Sequence, residues 1–124
     1  MSARPVFDEL IHAPNRLQVC AMLAPVDALE FGAVRDSLGV SDSVLSKHVR
    51  VLTEAGYVSV AKVPHASRTR TWLTLTDAGR TALDGHLAEL RRIAGMAGGV
   101  ADRPTAAARP AGSGTGRARP GPPG

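Results

Sequence analysis

At 124 residues, with a formal net charge of +4 and a single cysteine, the chain has the length of one domain with a small core. One cysteine excludes an internal disulfide and any cysteine-based metal cage within one subunit. No apolar run approaches the ~20 residues that span a bilayer, and nothing near the start joins a basic segment to an export-type apolar core, so the sequence predicts a cytoplasmic protein with no membrane association.

Residues 1–4 carry no pattern, and Val6, Phe7, Leu10 and Ile11 predict a short helical turn over 6–12. Pro14 suits the first position of a helix whose apolar side is Leu17, Cys20, Ala21 and Leu23, with Pro25 ending it. Phe31, Val34 and Leu38 keep helical spacing until Gly39 closes that segment. Ser41 then stands where a side-chain oxygen accepts from the orphan N–H groups of a new first turn, and Asp42 adds a favourable charge there. Leu45, Val49 and Leu52 recur at i, i+4 and i+7 and make one buried stripe, which leaves Ser43, Ser46, Lys47 and Arg50 outward. Gly56 supplies a left-handed stop. Two helices joined by so short a Gly-containing link form a helix-turn-helix.

After Gly56 the period changes to two. The alternation predicts strands over 58–63 and 71–75, the first stopped by Pro64, with residues 64–69 as an exposed tip. Thr71, Leu73 and Leu75 share one face of the second strand, and Arg70, Trp72 and Thr74 the other. Thr76 caps a final helix on which Leu83, Leu87, Leu90 and Ala94 follow the spacing of a packing seam. Such a seam needs a partner surface. From Gly98 onward Gly, Pro, Ala and Arg dominate, a composition that cannot bury enough apolar area to offset chain ordering. The organisation predicted is a folded domain over 1–97 and a disordered tail over 98–124.

The order of these motifs, with the EAGYV segment, a basic hairpin behind it and the LTDAGR run at Leu75 to Arg80, resembles the winged helix-turn-helix transcriptional regulators of bacteria, in particular their short MarR-like group. The resemblance covers residues 5–94. It implies an α+β, mostly α fold with a two-stranded wing and N- and C-terminal dimerisation helices, and a homodimer built on them. It departs from that group at Ser43 and Val44, where Gly and Asn are frequent.

Most of the net charge lies in residues 101–124, where four arginines face only Asp102, so the overall pI is a weak guide. Between residues 41 and 72, Lys47, Arg50, Lys62, Arg68 and Arg70 outnumber Asp42 and Glu54, a local field suited to a phosphate backbone. A helix in the major groove of double-stranded DNA reaches base edges with its first turns. Ser43, Val44, Ser46 and Lys47 are therefore the candidate base readers, beside the capping Ser41, and Arg50 is placed for phosphate. His48 divides evenly between phosphate contact and packing at the helix edge. Arg68 and Arg70 are candidates for the minor groove or backbone at the wing. Leu83, Leu87, Leu90 and Ala94 are the candidate dimer interface.

His12, His48, His65 and His86 stand far apart in sequence, with no paired metal-ligand motif, and Cys20 falls on an apolar helix side. No acid–base pair, nucleophile elbow or phosphate loop is visible. The sequence thus predicts no enzyme, no metal and no cofactor. It predicts a sequence-specific DNA-binding regulator acting as a homodimer, and it is silent on any small-molecule effector. Two other readings compete: a winged helix used for protein docking, and a sequence-indifferent chromatin protein whose arginine-containing tail supplies the affinity.

Overall fold

The computed structural model describes residues 3–101. In chain order the elements are α1 (Glu9–His12), α2 (Arg16–Leu23), β1 (Leu29–Glu30), α3 (Phe31–Leu38), α4 (Asp42–Glu54), β2 (Val58–His65), β3 (Arg68–Leu75) and α5 (Asp77–Ala101). Residues through Leu90 form one compact unit, and Arg91 begins a second, of which the described part is the end of α5.

The start of the chain is less helical than its apolar residues predict. Asp8 caps α1, its Oδ1 accepting from the Ile11 N–H at 2.9 Å, while the Val6 N–H donates to the Gly85 carbonyl at 3.0 Å. That contact holds Val6 outside the helix. Nor does α2 begin at Pro14. Asn15 takes φ 70 and its N–H donates to the Gln18 side chain at 2.6 Å, so the helical bonds start with Arg16.

The helix-turn-helix follows the sequence closely. Gly39 takes φ 69 and closes α3, its N–H reaching the Arg35 carbonyl at 2.9 Å. Ser41 caps α4, accepting from the Val44 N–H at 3.2 Å. Leu45, Val49 and Leu52 are all buried. At the far end Gly56 takes φ 82, with the Gly56 N–H on the Thr53 carbonyl and the Tyr57 N–H on the Leu52 carbonyl at 2.9 Å. This is the doubly bonded left-handed stop that glycine permits.

The sheet has three antiparallel strands in the order β1-β3-β2, one more than expected. Leu29 pairs with Leu73 and Glu30 with Trp72; a two-residue strand is too short to show alternation. The hairpin is also longer than predicted. Pro64 lies within β2 opposite Thr69, and His65 pairs with Arg68. A proline is tolerated there because β2 is an edge strand, where a missing N–H breaks no second ladder. The turn shrinks to Ala66 and Ser67, with Ala66 at φ 56.

Thr76 caps α5, as its position predicts, by accepting from the Gly79 N–H at 2.9 Å. Its hydroxyl donates to the Gly56 carbonyl at 2.6 Å, and its N–H to the Tyr57 carbonyl at 3.0 Å. A β-carbon on Gly79 would overlap that same carbonyl, so only glycine lets the first turn of α5 press against the Tyr57 backbone between α4 and β2. The core gathers Ile11, Val19, Leu23, Val34, Leu45, Leu52, Leu73 and Leu83, among others, from helices and sheet alike. Helix α5 continues through Ala101, past Gly98; the rest of the predicted tail lies outside the described residues. Among those described, no helix is long and apolar enough to cross a membrane.

Candidate nucleic-acid interface

Burying Leu45, Val49 and Leu52 on one side of α4 leaves Ser43, Val44, Ser46, Lys47 and Arg50 exposed on the other. Val44 is 39 % exposed, so its methyl groups are turned outward. Ser41 is also exposed, but its Oγ is engaged as the cap and stands 3.2 Å from the Ser43 Oγ. Its role is to start the helix that presents the others.

His48 is half-buried, with its Nδ1 3.5 Å from Arg16 Nη1. Burial lowers its pKa first, and the charges of Arg16 and Lys47 lower it further. A neutral ring beside a fixed guanidinium packs at the helix edge. Arg16 itself is pinned, its Nε donating to the Leu10 carbonyl at 2.7 Å. Nothing in the local pattern of α2 marks this cation as a neighbour of α4.

Between α4 and the hairpin runs a groove of about 340 Å³ lined by Asp42, Ser46 and Arg50 from α4, Phe31, and Val60, Lys62 and Thr71 from the strands. Lys62 was not among the predicted contacts. Strand alternation from the buried Val58 carries Lys62, opposite Thr71, to the face turned toward α4. The signal was present in the period-two pattern of Val58, Val60 and Lys62.

The two wing arginines differ. Arg68 is exposed beside the turn and lines a polar cleft with Glu30, Phe31, Arg35 and Asp36. Arg70 is directed toward β1, its Nε 3.7 Å from Glu30 Oε2, and this ion pair balances its charge. Arg35 joins α3 to α4: its Nη1 donates to Asp42 Oδ1 at 2.8 Å and its Nε to Asp36 Oδ1 at 3.0 Å. Both bonds, that to Asp42 foremost, raise the guanidinium pKa.

Away from this face, the structure joins groups that are distant in sequence. His12 Nδ1 and His86 Nε2 are 3.0 Å apart, with Phe7 packed on both rings at centroid distances of 4.9 and 4.7 Å. The Asp8 N–H donates to His86 Nδ1 at 2.9 Å, and Tyr57 Oη donates to Asp8 Oδ2 at 2.7 Å. Among the described residues no group of three or more His, Cys, Asp or Glu side chains is arranged to hold a metal ion. Cys20 is fully buried, and burial, with Asp8 adding to it, pushes its thiol up to about 11. Such a thiol is an inert packing group.

The candidate dimer residues form a gradient. Leu83, 1 % exposed, is consumed by the core of its own unit, Leu87 packs partly against that core, Leu90 is half-buried and Ala94 is exposed.

An exposed polar helix face beside a basic hairpin defines the class of this fold. Residues 15–94 match the family model of the winged helix DNA-binding domain, and the chain belongs to that family. It is 27% identical over 85 residues to an uncharacterized protein of Methanocaldococcus jannaschii, covering 68% of this chain and 92% of that one. Among solved structures, a transcriptional regulator homologue from Pyrococcus horikoshii superposes with a TM-score of 0.68 at 28% identity, over 73% of this chain and 89% of that one. The fold is also that of the zinc-responsive MarR family member ZitR of Lactococcus lactis, at a TM-score of 0.53, 16% identity and coverage of 73% and 61%. Family and fold are those of transcriptional regulators rather than of enzymes.

Proposed function

We propose that the protein is a sequence-specific transcriptional regulator that binds double-stranded DNA as a homodimer, with one recognition helix and one wing per half-site. The observation that carries this reading is the outward face of α4: Ser43, Val44, Ser46 and Lys47 stand exposed opposite the buried stripe. Serine hydroxyls donate or accept at base edges, a lysine reaches guanine O6 and N7, and an outward valine meets a thymine methyl. Arg50 and Lys62 line the adjoining groove, where they neutralise phosphates, and Arg68 does so from the wing. Likeness to the Pyrococcus horikoshii regulator homologue supports the same reading.

The test is selection from a random duplex pool, followed by titration of the selected site against its scrambled counterpart. Specific binding tighter by about a thousandfold or more is expected of a regulator. Equal affinity for both duplexes overturns the reading in favour of sequence-indifferent binding, and binding to neither favours a basic face that docks an acidic protein.

A further inference from the structure

Helix α4 opens with a carboxylate directed toward the place where DNA would lie. Asp42 lines the groove between α4 and the wing together with Ser46, Arg50 and Lys62, and its side chain is 71% exposed. As a helix-capping charge Asp42 is favourable, but a phosphate strand crossing from the recognition helix to the wing would meet a negative charge among the cations meant to attract it. At groove dimensions this repulsion acts within the Debye length of physiological salt, about 8 Å, and is not screened away.

Arg35 answers that charge from the neighbouring helix. Its Nη1 is 2.8 Å from Asp42 Oδ1, while Asp36 holds its Nε at 3.0 Å. The second bond ties the guanidinium to its own helix, so Arg35 is fixed on Asp42 rather than free to swing toward a phosphate. A carboxylate paired at contact distance presents a short dipole, whose field falls off faster than that of a lone charge.

Resting on the DNA-binding reading above, we propose that Arg35 is a positioning residue for DNA binding that touches no DNA: it masks Asp42 so that a phosphate backbone can enter the groove between α4 and the wing. Because the masking acts on phosphate, it applies to any DNA sequence. Removing Arg35 exposes one unit charge, and a contact-distance repulsion of that size in water weakens binding about fivefold.

The experiment is a double-mutant cycle in the full chain, titrated against a mixed-sequence DNA duplex over a range of salt, with thermal unfolding of each protein alongside. Arg35→Ala is expected to weaken binding about fivefold, and Arg35→Ala with Asp42→Asn to recover most of that loss, because no carboxylate is then left in the groove, whose lining does not include Asp36. Arg35→Gln, which keeps a hydrogen-bond donor without the charge, replaces Arg35→Ala if the alanine variant unfolds, and should lose and recover affinity in the same way. Failure of Asp42→Asn to rescue overturns the proposal: a salt slope lower by about one unit would then put Arg35 on a phosphate itself, and an unchanged slope would make it a brace between α3 and α4. If the wild-type protein binds no duplex, the DNA-binding reading falls too. A bound duplex without rescue sinks the masking alone.

Discussion

At the scale of single residues, two side chains carry the clearest expectations. Lys47→Ala should weaken binding to a selected site by about 1 to 3 kcal/mol while affecting scrambled DNA much less; equal losses on both in titration would make Lys47 a phosphate contact. The second is His86, which is fully buried. The Asp8 N–H can only donate, so His86 Nδ1 accepts, its proton sits on Nε2, and that N–H donates to His12 Nδ1. The His86 ring is thereby neutral. Burial and the proximity of His12 lower the His86 pKa, against an opposing pull from Asp8 and Glu89. A histidine with a depressed folded pKa stabilises the fold fully above its unfolded value of about 6.5, and that contribution is lost as pH falls through the folded value. Denaturant titration should therefore show lower stability at about pH 5.5 than at about pH 7.5, and His86→Leu should flatten the difference. The Ser41 cap was legible because its partner, Val44, is a local neighbour. The histidine pair was not, because 74 positions separate the partners and no local period links them.

At the scale of elements, the wing separates its cations by strand alternation and by pairing. Lys62 faces the α4 groove, Arg68 stands exposed at the turn, and Arg70 is engaged with Glu30. Lys62→Ala and Arg68→Ala should each reduce affinity and lower the salt slope by about one unit, whereas Arg70→Ala should leave the slope nearly unchanged. A slope that falls equally for all three would mean that Glu30 releases Arg70 to DNA. Helices α3 and α4 could be read almost to the residue, since periodic burial, Ser41, Gly39 and Gly56 act within a few positions of one another. Strand β1 could not. Leu29 and Glu30 become a strand only because Leu73 and Trp72 arrive beside them. Pro64 misled for a related reason: whether a proline ends a strand depends on which neighbours that strand has, and only the sheet order reveals that β2 has one.

At the scale of the whole molecule, the proposed homodimer needs a surface that the subunit does not use itself. The seam on α5 narrows accordingly, because Leu83 is committed to the internal core and Leu87 partly so. Leu90→Glu is thus the sharper test: it removes an apolar contact worth about 1.5 to 3 kcal/mol and adds a charge. Sedimentation should find a folded monomer, and binding to a two-half-site operator should weaken with it. An intact dimer would move the interface off Leu90. The outer edge of the sheet bears on how separate molecules behave together. Strand β2 is eight residues long, with Val60 39% and Val63 46% exposed, and an unpaired apolar edge of that length is a template for intermolecular strand addition. Lys62 and Pro64 interrupt it, one with charge and one by withholding an N–H. Replacing Pro64 with valine should restore a continuous edge and raise light scattering of concentrated protein; unchanged scattering would leave Lys62 as the guard. If scattering rises, the proline that the wing accommodates without breaking is also what keeps separate wings from joining edge to edge at the concentrations of a crowded cell.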